Sequence, residues 1–310
     1  MSIGGSNQPR PTRNERRDAA REKARILREE QKKRDRRKKL LIQGGVVVAV
    51  IAVAALIVGI VIQNTQPAGP GPRNMASDGI VLSGVDGTIT AAETKALQPD
   101  DDPIPTVQDD SGDVANIVMY VDYLCPFCGQ FETTNGENIR TLVESGAATL
   151  EVHPIAILTN RSAGTQYSLR AANAAACVAD NSPNSFFDFN QILFANQPEE
   201  GSTGLTDDEL KSLAGQAGVS NLSEVERCIG SKQFKAWVQA STARALGGPI
   251  PNSDIPNVQG TPTVLVNGKS YGGSLEDPEE FQAFVTQAAS ESSLDTDAEA
   301  TPTPTPTPTP

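Results

Sequence analysis

The run Val114 to Tyr123, VANIVMYVDY, is rich in β-formers and leads straight into Cys125-Pro126-Phe127-Cys128, after which Phe127 to Ser145 reads as helix. A strand that runs into a helix through two cysteines places the pair at a strand-to-helix junction of an α/β domain. With Cys125 at the N-cap, Pro126 falls at the first helical position, where its fixed φ suits a helix start, and Cys128 lies one turn on over the same face. The unpaired N–H groups and positive end of the helix then stabilise a thiolate at Cys125. Thiol-disulfide exchange needs an attacking thiolate and a second thiol near enough to resolve the mixed intermediate. Cys125 is expected near the surface as the attacking sulfur, and Cys128 more buried as the resolving one. A cysteine zinc site would bring its ligands in two close pairs, whereas Cys177 and Cys228 stand far apart in the chain. A purely structural bridge across C-x-x-C closes too short a loop to stabilise much. The residues call for no metal and no cofactor.

The ends of the chain have a different character. Residues 1–40 carry a net charge of +9, against −12 for all 310 residues, so a basic arm precedes an acidic body. Leu40 to Ile62 is uncharged with Gln43 its only strongly polar residue, and as a helix it would reach roughly 34 Å, enough to span a bilayer. A buried core helix would show a polar face, and a cleaved signal peptide would show a shorter apolar run and a small-residue cleavage site. The reading is an uncleaved anchor at 40–62, with 1–39 as a cytoplasmic arm. The cluster Arg34, Arg36, Arg37, Lys38 and Lys39 orients it so that the rest of the chain is exported. The arm could also lie along anionic headgroups; without a recognisable fold it supports no nucleic-acid function.

Residues 63–113 read as linker with a small hairpin, Ile80 to Thr90, turning at Asp86-Gly87. Pro99 to Asp113, with six Asp and three Pro, is an exposed connection. The globular domain is expected over 114–290. Thr149 to Leu158 is its second strand, and a helical insertion covers about 162–246, including a helix opened by the capping box Thr206 to Glu209. Thr263 to Val266 is a strand, Asn267-Gly268 turns the chain back through Lys269 to Tyr271, and Asp277-Pro278-Glu279-Glu280 opens a last helix. Residues 291–310 are expected as a disordered tail ending in a Thr-Pro repeat that cannot build a core.

The run VDYLCPFC after a strand, the later Gly260-Thr261-Pro262-Thr263 before another strand, and a helical insertion between them resemble the DsbA-like branch of the thioredoxin superfamily over about Val114 to Ala289. The resemblance implies a thioredoxin fold and thiol-disulfide oxidoreductase activity. It also implies a cis peptide bond at Pro262 facing the cysteines, with Thr261 touching the sulfurs and the substrate backbone. Exported cysteine-containing proteins are the implied clients, and a DsbB-like or vitamin K epoxide reductase-like membrane protein is the implied redox partner. The family's Pro-His dipeptide is here Pro126-Phe127. The histidine's partnership with the thiolate is missing, and a milder oxidant is expected. His153, the chain's one histidine, falls in a strand well away from the motif in sequence and reads as a core or edge residue rather than a base. Asp122 reads either as a buried carboxylate that relays a proton to Cys128 or as a solvent-facing residue. In an oxidising compartment Cys177 and Cys228 are expected to form a second disulfide, the alternative being two buried free thiols.

Disulfide donation is the leading function. The reverse flow, as a reductase or isomerase, is the alternative, and a peptide-binding module without turnover is a third reading that the intact C-x-x-C opposes.

Overall fold

The structure of the protein, a computed structural model, describes residues 69–109, 111 and 113–299. The basic arm, the apolar span and the Thr-Pro repeat lie outside these residues. Among the described ones no helix is long and apolar enough to cross a membrane.

A six-stranded sheet organises the domain. Strands β1 (Ile80–Val85) and β2 (Thr88–Ala91) form a hairpin; β3 (Ala115–Val121), helix α1 (Pro126–Glu144) and β4 (Ala148–Pro154) form a parallel crossover unit. Five helices follow: α2 (Tyr167–Asn181), α3 (Phe186–Ala195), α4 (Asp207–Gln216), α5 (Leu222–Ser231) and α6 (Lys235–Gly247). Strands β5 (Thr263–Val266) and β6 (Lys269–Ser270) and helix α7 (Pro278–Glu299) close the chain. The sheet order is β2-β1-β4-β3-β5-β6, with β3 and β4 parallel and every other pair antiparallel.

All seven residues of β3 are buried because both faces of the sheet are covered. On one face Ile117, Met119 and Val121 join Leu150, Val152, Phe131, Ile139 and Phe281; on the other Val118 and Tyr120 meet Ile155, Ala245, Ile250 and Leu265. Each large apolar side chain so buried contributes about 1.5–3 kcal/mol. Helix α4 opens with a complete capping box: Thr206 Oγ1 accepts from the Glu209 N–H, and the Glu209 carboxylate accepts from the Thr206 N–H. Asp277 accepts from the N–H groups of Glu279 and Glu280 at the start of α7.

The hairpin is more than part of a linker. Its turn is as expected, with φ of 51° at Asp86 and 74° at Gly87, the left-handed geometry that such a two-residue loop demands. Yet β1 pairs with β4, Ile80 opposite Val152 and Leu82 opposite Leu150, so the domain begins well before residue 114. Ile80 and Leu82 are fully buried, and they could not be so in an isolated hairpin. A second correction concerns the C-terminal end. Helix α7 runs to Glu299, past the boundary expected at 290, because no proline follows Pro278 before Pro302 and no glycine interrupts the stretch. Strand β4 ends at Pro154, short of Leu158, and the following segment turns into the helical block.

Candidate active site

Strand β3 delivers the chain to the dithiol. Asp122, Tyr123 and Leu124 turn it, with the Cys125 N–H donating to the Asp122 carbonyl at 2.9 Å, and Cys125 becomes the N-cap of α1 with Pro126 behind it. Both thiols are free. Each is buried, Cys125 at 5% exposure and Cys128 at 2%, so Cys125 is more enclosed than its expected surface position. The covering comes from the loop before β5. The Thr261–Pro262 peptide is cis, and the Cys125 Sγ donates to the Thr261 carbonyl at 3.1 Å. A second cis bond, Gly248–Pro249, carried no flag in the sequence. Phe127, between the cysteines, projects outward at 61% exposure.

The two sulfurs are driven apart electrostatically. Cys125 falls from its ordinary value of 9.0 to about 6. The main cause is the Cys128 thiol, which hydrogen-bonds to it; burial opposes the shift. Thr261, which packs against the sulfur, and the Cys128 and Phe127 main-chain N–H groups lower it further. The Phe127 N–H is a free donor of the helix start, while the Cys128 N–H also donates to the Cys125 carbonyl at 3.0 Å. Cys128 is pushed well up, first by burial and then by its neighbour. One sulfur is thus a thiolate near neutrality and the other a retained thiol, the pairing that exchange requires.

Asp122 is fully buried rather than solvent-facing. Its carboxylate accepts from the Leu124 N–H at 2.9 Å, the Leu158 N–H at 2.9 Å and the Ser168 hydroxyl at 2.7 Å. Burial raises its pKa, against the pull of these donors. Neither sulfur is a partner of the carboxylate, although a main-chain hydrogen bond from Asp122 tempers the rise at Cys128. His153 sits on β4 beside Glu151, 3.1 Å from Nε2 to Oε1, and stacks on Tyr120 at 4.3 Å. Strand alternation puts Glu151 and His153 on the face opposite Leu150 and Val152, away from the cysteines. Cys177 on α2 and Cys228 on α5 are joined by a disulfide with Cα atoms 5.7 Å apart. The described residues hold no cluster of His, Cys, Asp and Glu suited to a metal.

Two supports of the site escaped the sequence reading. Gln197, in the loop after α3, donates Nε2 to the carbonyls of Cys125 at 2.8 Å and Tyr123 at 3.2 Å. A Cβ on Gly129 would sit 2.3 Å from Gln197 Oε1, so glycine there is what lets the amide approach. No local pattern announces Gln197. The second support is a buried chain in which the Tyr123 hydroxyl donates to Asn190 Oδ1 at 3.0 Å and Asn190 Nδ2 to Glu132 Oε1 at 3.3 Å. Burial raises Glu132 to about 7. Its signal was available: Glu132 stands four residues after Cys128, hence on the same helix face.

Comparison with known proteins places this geometry among relatives. A family model described as thioredoxin matches residues 114–287, more than half of the chain. The structure resembles a disulfide bond oxidoreductase (DsbG) from Mycobacterium tuberculosis in its reduced form, with 30% identity and a TM-score of 0.51, covering 73% of this chain and 95% of that one. It resembles reduced DsbA from the same organism with 29% identity and a TM-score of 0.51, covering 70% and 98% of the two chains. Among curated proteins, the serine/threonine-protein kinase PknE of M. tuberculosis is 33% identical over 106 residues, 33% of this chain and 19% of the kinase. The chain spans about a fifth of that relative's length.

Proposed function

The chain belongs to the thioredoxin family, within its DsbA-like branch, and from that membership we propose a thiol-disulfide oxidoreductase that donates disulfides to exported cysteine-containing proteins. A client thiolate attacks Cys125 Sγ in the oxidised enzyme, and the Cys125–Cys128 bond breaks with its electron pair going to Cys128, which takes up a proton. A second client thiolate attacks the client sulfur of the mixed disulfide and releases Cys125 as thiolate. The client loses two electrons and the dithiol gains them. A DsbB-like or vitamin K epoxide reductase-like membrane protein then reoxidises the pair. Thr261 and cis-Pro262 hold the client backbone, while Asp122, through Leu124, Leu158 and Ser168, holds the turn that presents Cys125.

The observation that carries this reading is the placement of the free Cys125 thiol at the start of α1 with Cys128 one turn on, a setting that brings its pKa down to about 6. A thiolate stabilised in the reduced state is a good leaving group, and stabilising the reduced form makes the disulfide an oxidant. The same proposal puts the domain outside the cytoplasm on the anchor 40–62. The Cys177–Cys228 disulfide supports it, since such bonds persist in oxidising compartments.

Expression of the full chain carrying Cys128→Ser in its native host tests chemistry and compartment together. The variant cannot resolve its intermediate and should accumulate mixed disulfides through Cys125 with exported proteins, sensitive to reductant and absent from Cys125→Ser. Capture of cytoplasmic proteins would reverse the orientation, and equal capture by both variants would remove Cys125 from the mechanism.

A further inference from the structure

A small cavity of about 80 Å³ lies where the start of α2 meets the start of α6, lined by Gln166, Arg170, Asn173, Lys232 and Lys235 among others. Its chemistry is one-sided. Asn173 is 1% exposed, and its Oδ1 accepts from the Phe234 N–H at 2.8 Å, which fixes the amide orientation and leaves Nδ2 as a buried donor without a partner. Such a donor is costly to leave unmet, and an acceptor arriving with a ligand would meet it. Of the three cations that border the cavity, Arg170 is paired with Asp207 at 2.8 Å and is reached by the charge of Glu209, Lys232 lies 3.6 Å from Asp207, and Lys235 makes no ion pair among the described residues. Positive charge therefore remains in excess at the two lysines, on a chain whose overall charge is −12.

The two helices add to this excess. Helix α2 begins after Gln166 and α6 after Phe234, and neither N-cap side chain bonds to its helix. Both positive ends border the cavity; the first N–H of α2, from Tyr167, donates to the Ser162 hydroxyl at 2.8 Å and that of α6, from Lys235, to the Lys232 carbonyl at 3.0 Å, and the N–H groups that follow in each first turn add to the positive potential. Helix starts, ammonium groups and an unpartnered amide all call for a ligand that only accepts hydrogen bonds and carries more than one negative charge. The volume admits a handful of waters or one small oxyanion, at roughly 10–15 Å³ of such space per water, and excludes a nucleotide or peptide.

We infer that this cavity is a binding site for a tetrahedral oxyanion of the phosphate class, free or as a monoester, with Asn173 Nδ2, Lys232 and Lys235 as its donors. The site is separate from the dithiol and does not depend on the exchange activity.

Trp237, the single tryptophan of the chain, stands in the first turn of α6 two residues after Lys235 and reports on the site. Inorganic phosphate titrated into the full chain in detergent, at ionic strength held constant with chloride, should change Trp237 fluorescence saturably, and sulfate should compete. Asn173→Asp keeps the acceptor for Phe234 but replaces the donor with a negative charge, and it should weaken apparent affinity at least tenfold. Lys235→Gln should weaken it at least threefold while leaving dithiol exchange unchanged, which keeps the test valid should Asn173→Asp not fold. Glycerol 3-phosphate separates the sources: saturation by it admits a monoester such as a lipid headgroup, and saturation by inorganic phosphate alone restricts the site to the free ion. A response no different from chloride, or an affinity unchanged in folded Asn173→Asp and in Lys235→Gln, would overturn the assignment.

Discussion

All four cysteines are buried, between 0% and 5% exposed, and all four belong to helices or their caps, yet two are free thiols and two are bonded to each other. Burial therefore does not separate the pairs; position along the helix does. Cys125 is the N-cap residue of α1, where the main-chain N–H groups of the helix start help to lower its pKa, and Cys128 follows one turn later. Cys177 lies well inside α2 and Cys228 well inside α5, each within a completed helical hydrogen-bond ladder that leaves no donor for a thiolate. The first pair is a short loop around a helix end and gains reactivity. The second closes a separation of 51 residues between packed helices, where a cross-link restricts the unfolded chain most.

The contrast can be broken by moving each pair's property onto the other. Replacing Cys177 and Cys228 by serine should cost about 4 kcal/mol of stability by the chain-entropy estimate, with Cys125 reactivity in the folded fraction unchanged. Denaturant titration alongside alkylation rates checks it, and a large change in Cys125 reactivity would show that the two pairs are coupled.

The next effect belongs to the reactive pair's surroundings. Glu132 keeps its proton up to about pH 7 in the folded chain, whereas an unfolded glutamate loses it near 4.5. Between these values unfolding releases a proton, so stability falls as pH rises from 4.5 to 7 and is flat above, by about 3 kcal/mol in total. Glu132→Gln keeps an acceptor for Asn190 and removes the titration. Relative to the native chain it should gain stability at pH 8 and show little difference at pH 4.5, read by denaturation at both values. An equal difference at both would locate the effect outside Glu132.

A smaller effect sharpens how the dipeptide tunes the sulfur. Phe127 supplies neither charge nor a good donor, and Phe127→His adds a cationic partner to the reduced form. The variant should have a lower Cys125 pKa and a reduction potential higher by about 30 mV for each tenfold gain in equilibrium constant. Equilibration with glutathione checks it; an unchanged or lower potential contradicts the account.

The local features of the fold were legible because local rules govern them. Cys125-Pro126 at a strand end specifies a helix start, Asp86-Gly87 and Asn267-Gly268 specify turns, and Thr206 with Glu209 specifies a cap. What stayed hidden depends on contacts between distant segments. Nothing near Ile80 says that it will pair with Val152, and nothing near Gln197 says that its amide will reach the Cys125 carbonyl. Asp122 shows the same limit at one residue. Alternation left its direction open, and only the approach of Leu158 and Ser168 makes burial of its carboxylate tolerable. Glu132 was within reach of helical spacing but stood outside the motif that drew the reading.

Whether the helix start, Cys128 and Thr261 together make Cys125 the thiolate is read from the alkylation rate of the reduced chain with iodoacetamide between pH 4 and 10. A single sulfur, lost in Cys125→Ser, should react fast, at a rate that rises with a midpoint near pH 6. A midpoint near the ordinary thiol value of 9, or a fast reaction that persists in Cys125→Ser, would contradict it.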